Sequence, residues 1–344
     1  MSALSRGNRP IPTDDFSQSL RERAVRPKTR QLLISDFRGS DQEADLTVPP
    51  NCGGYGRVRH FRRTTSAGWP ENPLPIDPAC KALGLPPADV LEAQVFQNAA
   101  CNWRCWYCFV PFELLAAKEA YAAWFTADEL LALYLDQPTP PMMIDLTGGQ
   151  PDLTPEWIAW TIEALNARGI GDRIYLWSDD NLSNDYYFRF LSDGQREAIA
   201  AHSRYGRVCC FKGFNAQSFA FNTKAAPELF DRQFQIFSRL LAEGLDLYAY
   251  TTFTTPSADG IADDMARFVD RLQEISPTLP LRTVPLEIRA FSPAVPRMNE
   301  SHERAIVLQL LARDEWLTQL QARFSAAELS LPVSDTRLRT SAAP

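Results

Sequence analysis

Three of the seven cysteines fall within eight residues, in the order Cys101-Asn-Trp-Arg-Cys105-Trp-Tyr-Cys108. Three thiolates in one short loop must share a metal centre or repel one another as their pKa values fall. A structural zinc site takes four closed ligands, and Cys52 and His60 are the only fourth donors nearby in sequence. An iron–sulfur cube on three cysteines leaves one iron open to another ligand. The spacing alone leaves iron–sulfur, zinc and buried thiols open. An odd cysteine count behind an N-terminus with no apolar signal stretch argues against a disulfide framework. Cys209 and Cys210 are adjacent, so on a strand they face opposite sides and cannot serve one site. Buried thiols are the expectation for both.

The elements that must position this loop emerge after residue 90. Strand-like runs occur near 91–97, 142–146, 173–177, 207–211, 247–253 and 284–290, with helical segments at 127–136, 155–168, 227–243 and 261–275. In the third of these helices Leu229, Phe230, Phe234, Phe237, Leu240 and Leu241 recur at helical spacing. The intervals between strand starts are those of successive βα units. Six units predict an α/β fold, a partial (β/α)6 TIM-like barrel spanning 91–300. Residues 1–90 read as a loose arm and a loop-rich cap, and 301–344 as a C-terminal helix and tail. Ligands of such a sheet sit at the C-terminal ends of the strands, and the unusual residues collect there. The Cys101–Cys108 loop follows the first strand, Gly148-Gly149-Gln150-Pro151 the second, and Ser178-Asp179-Asp180-Asn181 the third. Lys212 follows the fourth, Thr251–Thr255 the fifth, and Arg289 ends the sixth.

Taken together, the cysteine and diglycine segments resemble the signatures of the radical S-adenosylmethionine (radical SAM) superfamily. The resemblance implies that Cys101, Cys105 and Cys108 bind a [4Fe–4S] cluster whose open iron is chelated by S-adenosylmethionine (SAM). Tyr107 fills the position of an aromatic residue that lies by the adenine. Thr147-Gly148-Gly149-Gln150-Pro151 resembles the family's Gly-Gly-Glu-Pro motif. Its glycines would bare backbone polar groups to the SAM ammonium, and Gln150 stands in place of the usual Glu. Ser178 and Asp180 lie where a Thr-Asn-Gly-like segment contacts the ribose, although an Asx-rich turn would read the same way. Phe211-Lys212-Gly213-Phe214 resembles a stretch of glycyl-radical-enzyme activases in which the lysine helps to hold SAM. Arg289 resembles a residue of their last strand, with an ion pair to Glu287 as the structural alternative. The implied chemistry is reductive cleavage of SAM to a 5′-deoxyadenosyl radical. A flavodoxin- or ferredoxin-type donor would supply the electron, and the radical would abstract hydrogen from a substrate. Trp103, Trp106 and Phe109 would suit dry walls around it, although packing explains them equally well.

The rest of the sequence bounds the substrate only loosely. Of 35 basic residues only five are lysine, and 42 acidic residues give a net charge of -7. A mildly basic front on an acidic body falls well short of a nucleic-acid footprint. No apolar run reaches bilayer length, so a cytoplasmic protein with no membrane segment is expected. A capped mouth and the lack of an extra CxxC pair favour a small-molecule, nucleoside or peptide substrate over the protein substrate of an activase. In the cap, Cys52–Arg57 and Arg59–Arg63 could offer amides and cations to an anion, or could form a turn and a basic exposed strand. His60, His202 and His302 read as packed or surface residues. A protein stapled by zinc, without enzymatic activity, is the alternative from another class.

Overall fold

The computed structural model describes residues 9–43 and 46–339. The outermost parts of the expected arm and tail, 1–8 and 340–344, lie outside the described residues, as do 44–45. In chain order the elements begin with α1 (Thr13–Ala24), β1 (Val25–Arg26), β2 (Gln31–Ser35), β3 (Gly56–Arg62), α2 (Ile76–Leu83) and β4 (Val90–Gln97). After the cysteine loop come β5 (Ala122–Thr126), α3 (Ala127–Leu135), β6 (Met143–Thr147), α4 (Glu156–Ala167), β7 (Tyr175–Asp180), α5 (Tyr186–Phe190) and α6 (Asp193–Ala201). The chain continues with β8 (Tyr205–Phe211), α7 (Ala216–Thr223), α8 (Phe230–Ala242), β9 (Leu247–Thr252), α9 (Ile261–Ile275), β10 (Thr283–Leu286), α10 (Glu300–Arg323) and α11 (Ala326–Leu329).

The six expected strands form as β4, β6, β7, β8, β9 and β10, all parallel, and β3 adds an antiparallel strand to the β4 edge. The sheet curls into a half-barrel with helices outside, a partial TIM-like barrel. Its outer face carries Phe96, Ile144, Leu146, Leu176, Phe211, Leu247 and Ala249, packed on Leu130, Trp157, Phe234, Phe237 and Phe268 of the helices. Its inner face carries Ala93, Met143, Tyr175, Trp177, Val208, Tyr248 and Tyr250, joined by Phe61 of β3 and by Leu74, Ile76 and Cys80 of the cap. Helices cover one side of the strands and cap residues fill the other, so neither side faces water.

Two parts of the front differ from the sequence expectation. Residues 13–24 are helical, with Phe16, Leu20 and Ala24 at helical spacing packed on Ala99, Ala100 and Leu153 beside the cysteine loop. Arg21 on this helix is buried with Glu156; its Nη1 donates to the Glu156 carboxylate and to the Leu153 carbonyl, each at 2.9 Å. Breaking such a buried pair by removing one partner costs about 3–5 kcal/mol, so α1 is fastened to the barrel. Within the cap, β1, β2 and the later β5 form a separate antiparallel sheet, whose β2 bonds Ala99 through the Leu33 carbonyl at 3.1 Å. The C-terminal helix breaks at Phe324, after which Ser325 and Glu328 form a capping box for α11.

Candidate functional site

The cysteine loop leaves the C-terminal end of β4 and is held along its whole length. The Cys101 N–H donates to the Leu115 carbonyl and the Arg104 N–H to the Thr223 carbonyl, each at 3.1 Å. The Arg104 guanidinium folds back onto the carbonyls of Cys101 (2.6 Å) and Trp103 (2.8 Å). Asn102 donates to Ser17 of α1 at 2.8 Å and to Ser183 at 2.7 Å. Asn181, past β7, donates to Asn102 at 3.1 Å and reaches the Cys101 sulfur at 4.0 Å. Trp103 and Trp106 are buried packing residues: Trp103 lies against Phe219, and the Trp106 ring stacks on His302 at 4.6 Å. His60 pairs with Glu92 at 3.0 Å and His202 is half-buried by α6, so none of the three histidines faces the loop with a free ring.

Gly148 and Gly149 both have positive φ, +73° and +69°. A Cβ on Gly149 would meet the backbone carbonyls of Ala100 and Asn98, the latter at 2.6 Å, and the next N–H, of Gln150, donates to Ala100 at 2.7 Å. The diglycine turn is therefore pressed against the segment that launches Cys101, and only glycine permits that approach.

Lys212, just past β8, is the charged side chain aimed at the loop. Burial opposes its charge, but Cys210, Tyr107, Cys105 and Asp179 around it hold the ammonium protonated, above the ordinary lysine range. Burial pushes the Cys105 thiol up to about 12 and raises Cys108, with Lys212 opposing the shift at both and Arg297 opposing it at Cys108. Arg297 also donates to the Cys108 carbonyl and lies over Phe112 at 4.2 Å, a neighbour that no sequence signal marked. Tyr107 is buried, its hydroxyl beside Thr252 without a well-formed hydrogen bond.

Asn222 of α7 ties three of these loops together. It accepts from the Trp106 indole at 3.1 Å, donates to the Lys212 carbonyl at 2.9 Å and to the Thr254 carbonyl at 3.1 Å, and accepts from the Thr254 hydroxyl at 2.8 Å. Asn222→Ala strands buried donors and acceptors in all three loops. At about 1–3 kcal/mol for each unsatisfied group, the variant should lose at least about 2 kcal/mol of stability in urea unfolding. A loss within error of zero would show that these bonds are dispensable.

Other expected contacts point elsewhere. Strand neighbours in register share a face, and Ser178 pairs with Leu146 and Arg207 on the outer side. Its hydroxyl bonds the Tyr205 hydroxyl at 2.7 Å. Asp180 is also turned outward: it accepts from Gln150 Nε2 and from the Leu182 N–H, each at 2.8 Å, and lies beside the buried Arg207–Asp152 pair. Gln150 completes this brace by accepting from the Asn181 N–H at 2.9 Å. These three side chains join loops and do not face the space in front of Cys105. Arg289 pairs with Glu287 at 2.8 Å and donates to the Thr65 carbonyl at 2.6 Å, tying the cap to the last strand. Cys209 and Cys210 do face opposite sides, outward with the helices and inward beside Lys212 respectively.

The inner face instead brings up Asp145 and Asp179, together with Arg57 and Arg59 from β3. Of the two alternatives for Cys52–Arg57 and Arg59–Arg63, the turn and basic exposed strand is corrected in part: β3 forms, but Arg57 and Arg59 pair with Val95 and Ala93 on the inward side of the sheet. Alternation along β3 puts Arg57, Arg59 and Phe61 on one face, a pattern present in the sequence but carried by charged residues. Asp145 is fully buried, with one carboxylate oxygen unpartnered and the other 3.5 Å from Arg59. Burial and then repulsion from Asp179 raise its pKa, against the pull of Arg59 and Arg57. A carboxyl raised in the folded state favours the protonated form. Its contribution is therefore present below the unfolded-state pKa and is lost as pH rises through the folded value. Asp145→Asn removes this titration in nearly the same shape. Between pH 5 and pH 9 the wild-type chain should lose more urea stability than the variant, by about 1 kcal/mol or more. Identical pH profiles would contradict the assignment.

As a donor set, the loop is incomplete for a single ion. Among the described residues no three His, Cys, Asp or Glu side chains converge as one metal ion requires. Cys52 donates its thiol to the Leu133 carbonyl at 3.6 Å and is not a fourth ligand.

Fold and site together define an α/β half-barrel whose mouth carries a clamped three-thiol loop facing a half-buried lysine. No family model and no curated protein matches the chain. Among solved structures, Streptococcus suis SuiB bound to its precursor peptide SuiA aligns with 14% identity and a TM-score of 0.35, over 52% of this chain and 36% of that one. SuiB bound to S-adenosylmethionine aligns with 16% identity and a TM-score of 0.33, over 50% and 35%. The aligned part is about a third of SuiB's length, and a similarity of that size identifies neither family nor activity. No described helix is long and apolar enough to cross a membrane.

Proposed function

We propose that this chain is a radical SAM enzyme that holds a [4Fe–4S] cluster on Cys101, Cys105 and Cys108 and acts on a small-molecule, nucleoside or peptide substrate. The observation that carries the reading is the set of three thiols in one clamped loop at the half-barrel mouth, with no fourth donor and no single-ion geometry among the described residues. Three cysteines on three irons of a cube need not converge on one point, whereas a zinc staple needs four ligands that do. When bound, the cluster and SAM together supply reductive cleavage of the sulfonium and a 5′-deoxyadenosyl radical for hydrogen abstraction. The protein's own share is to bind, orient and exclude water.

In this reading Lys212 holds the SAM carboxylate, Tyr107 lies along the adenine, and the backbone at Gly148 and Gly149 takes the ammonium. Gln150, Ser178 and Asp180 brace the loops around SAM, and Arg289 fastens the cap. Residues 1–90 then serve as arm and cap, 91–300 as the core, and 301–344 as the closing helix and tail. A flavodoxin- or ferredoxin-type donor in the cytoplasm would supply the electron. The inward-facing β3 supports a compact substrate over a glycyl-radical protein.

The test is anaerobic reconstitution, assay of iron and sulfide, and mass spectrometry for 5′-deoxyadenosine after dithionite and SAM are added. About four irons per chain with SAM cleavage supports the reading. About one zinc per chain, without sulfide or cleavage, would restore the zinc staple.

A further inference from the structure

Arg57 is 6% exposed, yet no described group accepts a hydrogen bond from its guanidinium, and its Nε is buried and unpartnered. Buried guanidinium groups are ordinarily paired, because leaving one unpaired in a dry interior is expensive. The group lies near two rings, 5.6 Å from the centre of Phe109, the residue after Cys108, and 5.9 Å from that of Phe37. Neither ring accepts a hydrogen bond from the fork, so its donors remain free. Arg59, two residues along the same face, reaches Asp145 at 3.5 Å with its side chain partly open. Across the interior stand Asp145 and Asp179, and neither carboxylate hydrogen-bonds Arg57. The Arg57 guanidinium is thus left without an acceptor among the described residues beside the cysteine loop.

We infer that Arg57, assisted by Arg59, forms an oxyanion subsite inside the half-barrel that takes a carboxylate or phosphate group of the substrate. This rests on the proposed radical chemistry for the word substrate, while the anion site rests on the two arginines alone. The planar fork of Arg57 suits bidentate recognition of either oxyanion. Anchoring an anionic end there places the remainder of the molecule toward Phe109 and the cysteine loop.

Isothermal titration of the reconstituted full chain, saturated with SAM, tests this with inorganic phosphate in one arm and acetate in the other. The expected result is one saturable site for at least one anion, and the better of the two assigns the group. Affinity should fall at least about tenfold in Arg57→Met. It should fall less in Arg57→Lys, which keeps the charge but loses the fork. Arg62→Met, on the exposed outer side of the same strand, should bind like wild type. Absence of saturable binding in the millimolar range, or equal affinity in Arg57→Met and wild type, would each overturn the subsite. Should Arg57→Met not fold, the Arg57→Lys comparison decides alone. The two readings fail separately. Arg57-dependent anion binding in a chain without cluster or SAM cleavage would leave the subsite and remove the radical chemistry. Cluster and cleavage without anion binding would do the reverse.

Discussion

Cys105→Ala protein, reconstituted anaerobically, should hold well under half of the about four irons expected for the unsubstituted chain, and should form no 5′-deoxyadenosine. Cys105 lies within the packed Trp103–Trp106 segment near Lys212, and burial makes its thiol reluctant to ionise unless a cation takes the charge. A metal centre is the cation that three such thiols can share. Among the described residues Cys52 bonds the Leu133 carbonyl, Cys209 faces the helices, and Cys210, though inward beside Lys212, is fixed on β8 outside the loop. Cys101→Ala and Cys108→Ala should behave alike. The loop should stay folded in all three, because Arg104, Asn102 and Trp106 are clamped independently of the sulfurs. Melting temperatures close to wild type with the iron lost would separate a ligand role from a structural one. Full iron content in any of the three would remove that cysteine from the ligand set.

Lys212→Met should leave iron and sulfide unchanged while weakening SAM binding by roughly 30-fold or more, the effect of truncating one member of a desolvated charge pair. The lysine is held charged by Cys210, Tyr107, Cys105 and Asp179, yet among the described residues its ammonium makes no hydrogen bond or ion pair. Its backbone is fixed from both sides, the N–H donating to Gln233 at 2.9 Å and the carbonyl accepting from Asn222. A side chain so anchored, aimed at the loop and lacking a partner is positioned to receive an anion. Equilibrium binding of SAM to the reconstituted variant checks this, and unchanged affinity would return Lys212 to a purely structural role.

The backbone plan was legible because its signals are local. Short apolar runs at βα intervals mark the strands, and helical periodicity marks α3, α4, α8 and α9 within a residue or two, except at the start of α8. α1 could also have been found. Phe16, Leu20 and Ala24 lie on one face, with Asp14 and Asp15 in the first turn and Arg21 and Arg23 in the last. Its short apolar stripe is weak beside the strongly polar remainder, and the partners that give it value, Glu156 and Leu153, are far away in sequence.

Side-chain direction was not legible. Both faces of a parallel strand are buried, so nothing in Trp177-Ser178-Asp179-Asp180 tells which residues look inward. Register with β6 and β8 turns Asp179 toward Lys212 and sends Ser178 and Asp180 to the helices. By itself the sequence determined the thiol spacing, the order of βα units and the collection of unusual residues at the strand ends, since these follow from chain order and local periodicity. Only the tertiary structure decided that β3 pairs with β4 and turns Arg57 and Arg59 into the barrel, because strand pairing joins residues that share no local signal. The same long-range packing made Gln150 a brace and Asn222 a hub, since their partners lie on loops that only the closed sheet brings together.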